Sequence, residues 1–121
     1  MRIRLAQALL AGGLVAASAA HAADAEKLSF AVESETYTVP DGGLLSAEAG
    51  AQGGLTFCLA PPVEAELSAF TGAHVGETVA VAIGDTTLFH LQIVDPYKNG
   101  CITWPLHPEL AKRYRARLLG D

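Results

Sequence analysis

The chain has 121 residues, 50% of them hydrophobic and 17% charged, with 8 Lys and Arg against 13 Asp and Glu for a formal charge of −5. That apolar content excludes an intrinsically disordered chain, and the length predicts one small globular domain. The acidic balance excludes a phosphate-backbone binder, because counterion release needs a surplus of Lys and Arg on the contacting face, so no nucleic-acid partner is expected.

The N-terminus reads as a secretory leader. Arg2 and Arg4 form a positive n-region, Leu5 to Ala17 an apolar h-region, and Ala20-His21-Ala22 an A-x-A cleavage pattern, which predicts a signal peptide over residues 1–22. Its removal takes away two arginines and no carboxylate, so the mature chain is more acidic still. Beyond it no stretch approaches the ~20 apolar residues of a bilayer span. The expected location is the periplasm, with no membrane span after cleavage.

Residues 23–53 predict an N-terminal β segment followed by a connector. Leu28, Phe30 and Val32 alternate, as do Tyr37 and Val39, and Pro40-Asp41-Gly42-Gly43 is turn chemistry. Ala47 to Gly54 is small and glycine-rich and reads as flexible. From residue 54 to 121 the pattern sharpens into one α/β unit. Leu55, Phe57 and Leu59 alternate with Thr56 and Cys58, predicting a strand with one buried face. After Pro61-Pro62, Val63, Leu67 and Phe70 recur at helical spacing.

Val79, Val81 and Ile83 mark a second strand, and Gly84-Asp85 suits a two-residue hairpin loop into a third strand with Phe89, Leu91 and Ile93 on one side. Asn99-Gly100 signals another hairpin, leading to a strand with Ile102 and Trp104 inward. Pro108 opens a last helix whose Leu110, Tyr114 and Leu118 form a stripe. The fold class predicted is α+β, a two-layer sandwich of two helices over one face of a small mixed, mostly antiparallel sheet, in the order β-α-β-β-β-α after the N-terminal β segment.

Leu55-Thr56-Phe57, the helix ending Ala69-Phe70-Thr71-Gly72-Ala73-His74-Val75-Gly76, and Val79-Ala80-Val81-Ala82-Ile83-Gly84-Asp85 resemble the head subdomain of the first periplasmic domain of SecD. In that family an "L-T-F-x-L" strand leads into a helix ending "F-x-x-L-T-x-x-x-x-G", then an apolar strand and a short "D-G" turn. The resemblance continues through Asn99-Gly100, Ile102-Thr103 and the helix from Pro108 to Leu119, covering about residues 54 to 120. It departs from the family at Phe89-His90-Leu91-Gln92, where a Ser-Ala-Pro break is common, and at Trp104-Pro105-Leu106-His107, where the family is glycine-rich. The family's transmembrane helices have no counterpart in the sequence, so no proton-coupled export is carried over. The resemblance implies a small protein-contacting module, since the family's head is thought to meet exported polypeptide.

The expected contact surface is the less covered sheet face, around Thr56, Ala80, His90, Gln92 and Thr103. Lys112, Arg113, Arg115 and Arg117 concentrate positive charge on the last helix. Favourable placement near a helix C-terminus accounts for such a cluster, and the alternative is weak contact with an anionic membrane surface or an acidic partner. Cys58 and Cys101 share a strand parity, which favours a disulfide, whereas a parallel crossover would leave them at opposite ends of the sheet. The oxidising compartment favours the bond.

His74, His90 and His107 fall on three separate elements without metal-ligand spacing, and nothing marks a nucleophile elbow or phosphate loop. No cofactor, metal or catalytic residue is expected. The sequence therefore predicts a non-enzymatic periplasmic binding module for a protein or polypeptide. The alternatives are a small inhibitor or immunity-type protein acting through its acidic surface, and a histidine-dependent metalloenzyme.

Overall fold

Alternating side chains set the strands of this molecule, and prolines set where its helices begin. The computed structural model describes residues 25–120, so the leader expected over residues 1–22 lies outside the described residues. The elements run β1 (Leu28–Ala31), β2 (Thr36–Thr38), β3 (Leu44–Ala49), β4 (Leu55–Leu59), α1 (Pro61–Gly72), β5 (Thr78–Ile83), β6 (Thr86–Gln92), β7 (Cys101–Trp104) and α2 (Pro108–Leu119).

The α+β class expected from the sequence is the class observed. Within it the strands divide between two sheets rather than one. A four-stranded sheet has the order β2-β1-β5-β6 and a three-stranded sheet the order β3-β4-β7. Every pairing is antiparallel, so the mixed character expected of the sheet is absent among the described residues.

Both helices start on proline, whose missing N–H costs nothing in a first turn. At α2 the ring Nδ1 of His107 also accepts from Glu109 N–H at 3.2 Å. Gly120, at φ 75°, ends that helix in the left-handed conformation that glycine adopts without a Cβ penalty.

The core gathers Leu28, Phe30, Val81 and Ile83 from the larger sheet with Leu55, Phe57 and Leu59 from the smaller. Phe89 of β6 and Trp104 of β7 stack at 3.8 Å between centroids, joining the two sheets. α2 lies against β3, where Arg115 Nε donates to Ala47 O at 2.9 Å and both Ala47 and Ala111 are buried. No helix among the described residues is long and apolar enough to cross a membrane.

Four sequence expectations need correction. The connector expected over residues 47–54 is the end of β3 and its turn, with Ala47 buried opposite Phe57. Asn99-Gly100 does not close a hairpin: β6 and β7 lie in different sheets, and Gly100 O instead accepts from Leu59 N–H at 2.7 Å. β4 and β5 likewise belong to different sheets, so α1 is not a parallel crossover.

The helix faces are the fourth. Val63 and Leu67 of α1 are buried with Thr71 rather than Phe70, and α2 buries Ala111 and Leu118 while Leu110 and Tyr114 sit at its flanks. Thr71 is tolerated inside because its hydroxyl donates to Leu67 O at 2.8 Å.

Candidate functional site

β6 is an edge strand, and at its C-terminal end the inner face of the larger sheet loses its cover. Leu91 has inner-face parity, opposite Val79, yet it is 41% exposed. Beyond it Val94 is 70% exposed, and Val75 is 50% exposed. Gly76 N–H donates to Ile93 O at 2.7 Å and Ile93 N–H to Glu77 O at 2.8 Å, so residues 75–77 run beside residue 93 at this end of the sheet.

A groove of ≈ 200 Å³ lies there between α1, the larger sheet and β7, lined by Phe30, Leu67, Val79, Phe89, Ile93 and Ile102. Few polar atoms reach it. Thr71 Oγ1 donates into α1 and accepts from Tyr97 N–H at 2.8 Å, which pins the β6–β7 connector to the helix. The Tyr97 hydroxyl is buried and has no hydrogen-bond partner among the described residues. Burial, then the Glu64 charge, pushes its pKa up to about 12. An apolar concavity with exposed aliphatic residues in its lining has the surface chemistry that an apolar group can enter. Among the described residues it holds no set of groups for covalent chemistry.

A second cluster braces this end. His74, at the exit of α1, places Nδ1 2.8 Å from Glu77 and Nε2 2.5 Å from Glu35 in the β1–β2 turn. Its ring lies 5.0 Å from Phe70, which in turn lies 6.1 Å from Tyr37. Tyr37 donates to Glu66 at 2.7 Å. The hydrogen bonds to Glu77 and then to Glu35 raise the His74 pKa against the opposing effect of burial. The exit of α1 and the β1–β2 turn are thereby tied around one imidazole.

The residues singled out from the sequence do not form one surface. His90 and Gln92 lie on β6, His90 in a cross-strand row with Ala80, Ala31 and Thr36 on the outer face of the larger sheet. Thr56 and Thr103 face each other across β4 and β7 in the smaller sheet, their hydroxyls 2.9 Å apart. The single contact face expected from the sequence is therefore two faces, because its strands belong to two sheets.

Cys58 and Cys101 are register partners on that same β4–β7 pair and are joined in a disulfide. Of the basic cluster, Arg117 makes two bonds of 2.7 Å to Glu26 and a third to Ile83 O, and Arg115 is engaged with Ala47 O. Lys112 and Arg113 are exposed, Lys112 lying 3.7 Å from Glu109. The three histidines keep different company: His74 has its two carboxylates, His90 the outer sheet face, and His107 caps α2. No group of His, Cys, Asp or Glu among the described residues is arranged to hold a metal ion.

Sequence reasoning missed the groove itself. The signal available was Val94, an apolar residue continuing past the strand into Asp95-Pro96-Tyr97, where turn chemistry predicts polar side chains.

No protein-family model and no curated protein matches the chain. Among solved structures, the fold is similar to that of SecDF, described as a membrane component that enhances protein export. The TM-score is 0.67 at 11% sequence identity, over 93% of this chain and 70% of that one. The likeness is one of fold, and it extends beyond the stretch from residue 54 to 120 over which the sequence resemblance runs.

Proposed function

We propose that this chain is an extracytoplasmic, non-enzymatic binding module with a fold of the SecD-head type, and that it contacts polypeptide through the groove at the open end of the larger sheet. The observation that carries this reading is the pairing of an apolar groove with the exposed Leu91 and Val94 in its lining. A Val- or Leu-sized side chain moving from water into such a groove gains about 1.5–3 kcal/mol. That is an anchor for weak, exchangeable binding, as suits a module meeting many sequences. The likeness in fold to a component of protein export agrees in kind with a polypeptide partner. Of the sequence-predicted contact residues Gln92 belongs to this surface, because it lines the groove, whereas His90 lies on the outer face of the same edge strand.

The test is photo-crosslinking in cells from a photoreactive residue placed at Val94, with the same group at Thr38, on the outer face of β2, and at Arg113, on α2. The expected result is a ladder of polypeptide adducts from position 94 and little from the other two. Equal labelling from all three positions contradicts the proposal.

A further inference from the structure

We propose that the free edge of β6 takes up an extended segment of the partner as an added strand, with one apolar side chain seated in the groove and Lys or Arg residues flanking it. This rests on the reading of the groove as a polypeptide site and adds the partner's conformation and charge.

The first argument compares the edges. Two sheets present four edge strands, and proteins usually keep such edges short or blocked. β2 has only three residues and β7 four. β3 has six, but its Ala47 carbonyl is taken by Arg115. β6 is the longest at seven residues, a bulge at Leu88 leaving Phe89 to Gln92 as its regular end, and its sequence, Thr-Thr-Leu-Phe-His-Leu-Gln, carries no proline, lysine or carboxylate to discourage pairing there.

The hydrogen-bond phase of β6 is known from Ile93, whose N–H bonds to Glu77 O. Antiparallel alternation then turns the backbone groups of Phe89 and Leu91 toward β5 and those of His90 and Gln92 toward the open edge. Only the backbone of another extended chain meets a row of alternating donors and acceptors at that spacing. A strand laid there has side chains of inner-face parity beside Leu91, over the groove.

Charge selects the occupant. Asp95 lines the groove, Glu64 lies near Tyr97, and Glu77 runs beside Ile93. From residue 25 to 107 the sequence offers only Lys27 and Lys98 besides the histidines, of which His74 is engaged with Glu77 and Glu35. With Asp95 in its lining and Glu64 near Tyr97, the apolar groove favours an apolar segment flanked by basic residues. Those carboxylates disfavour a second copy of this chain, which would bring Asp85 and Asp95, at the two ends of its own β6, against them.

The test uses the full chain and synthetic peptides of roughly ten residues, the length of a long strand. One has an alternating Val/Thr core flanked by lysines, a second the same core flanked by glutamates. A third pair repeats the lysine peptide with one or the other set of alternate backbone nitrogens methylated. Binding is read from the fluorescence of Trp104, the one tryptophan, which stacks on Phe89 of β6, and from amide hydrogen exchange at His90 and Gln92.

The expected result is that the lysine peptide binds and slows exchange at both amides, and that added salt weakens it. The glutamate peptide and one of the two methylated peptides should each bind at least roughly tenfold more weakly. Gln92→Pro, which removes an N–H from the open edge, should lower affinity to a similar extent. Should that variant not fold, the methylated peptides decide alone.

If both methylated peptides bind as well as the parent and the two amides exchange as before, strand addition is overturned while the polypeptide reading of the groove stands. Failure of every peptide to bind overturns strand addition too. Slowing of the same amides with protein concentration alone assigns the edge to a second copy and also overturns it.

Discussion

His74 has a carboxylate at each ring nitrogen, Glu77 at Nδ1 and Glu35 at Nε2, so both hydrogen bonds form only when the imidazole is protonated. A neutral ring donates from one nitrogen and turns a lone pair on the other toward a carboxylate. With the folded-state pKa raised above the ordinary 6.5, the protonated ring favours the folded chain. That contribution is fully present below about pH 6.5 and is lost as pH rises through the higher folded-state value. Scanning calorimetry across this range should show the melting temperature of the natural chain falling with rising pH, and His74→Gln should flatten that fall. Parallel profiles for the two proteins would remove His74 as the titrating brace. The neighbouring polar residues behave differently: the Thr71 hydroxyl donates to Leu67 O and accepts from Tyr97 N–H, whereas the Tyr97 hydroxyl has no partner among the described residues.

Single elements of this fold are weak, and their order comes from what ties them together. β4 and β7 are short strands from distant parts of the sequence, held in register by Thr56 against Thr103 and by the Cys58–Cys101 bond, which spans a sequence separation of 43. Closing a loop of that length in the unfolded chain corresponds to a stabilisation of up to ~4 kcal/mol. Urea unfolding of the Cys58→Ser, Cys101→Ser double variant should show a loss approaching that size, and a loss of a few tenths of a kcal/mol would mean the bond is incidental.

This element scale is also where the sequence was readable and where it was not. Strand positions were legible because alternation at Leu55, Phe57 and Leu59, or at Val79, Val81 and Ile83, reports burial directly. Which strands pair was not, since Asn99-Gly100 carries the chemistry of a hairpin while the chain uses it to step from one sheet to the other. The helix faces were legible to within one residue. Choosing Thr71 over Phe70 for the interior depends on the hydroxyl reaching Leu67 O and on Tyr37 and His74 flanking the Phe70 ring, tertiary facts that periodicity does not carry. The groove was invisible for a related reason: it exists where the smaller sheet stops covering the larger, and cover is a property of the assembled sheets.

At the scale of the whole molecule, charge and cover divide the surface. Among the described residues the α2 end holds most of the Lys and Arg side chains, with Arg115 and Arg117 committed to Ala47, Glu26 and Ile83. The opposite end, around the C-terminus of β6, carries Asp95 in a mostly apolar lining. A likeness to SecDF at 11% identity is one of fold alone, so the groove must be judged on its own chemistry. The account's central claim is that this groove is where polypeptide binds. The most direct measurement is crosslinking from position 94 in a chain whose groove is filled by Ile102→Phe, with the melting temperature followed alongside. The account expects the adducts from position 94 to disappear while the filled protein stays folded. A folded Ile102→Phe chain that still yields the full set of adducts would contradict it.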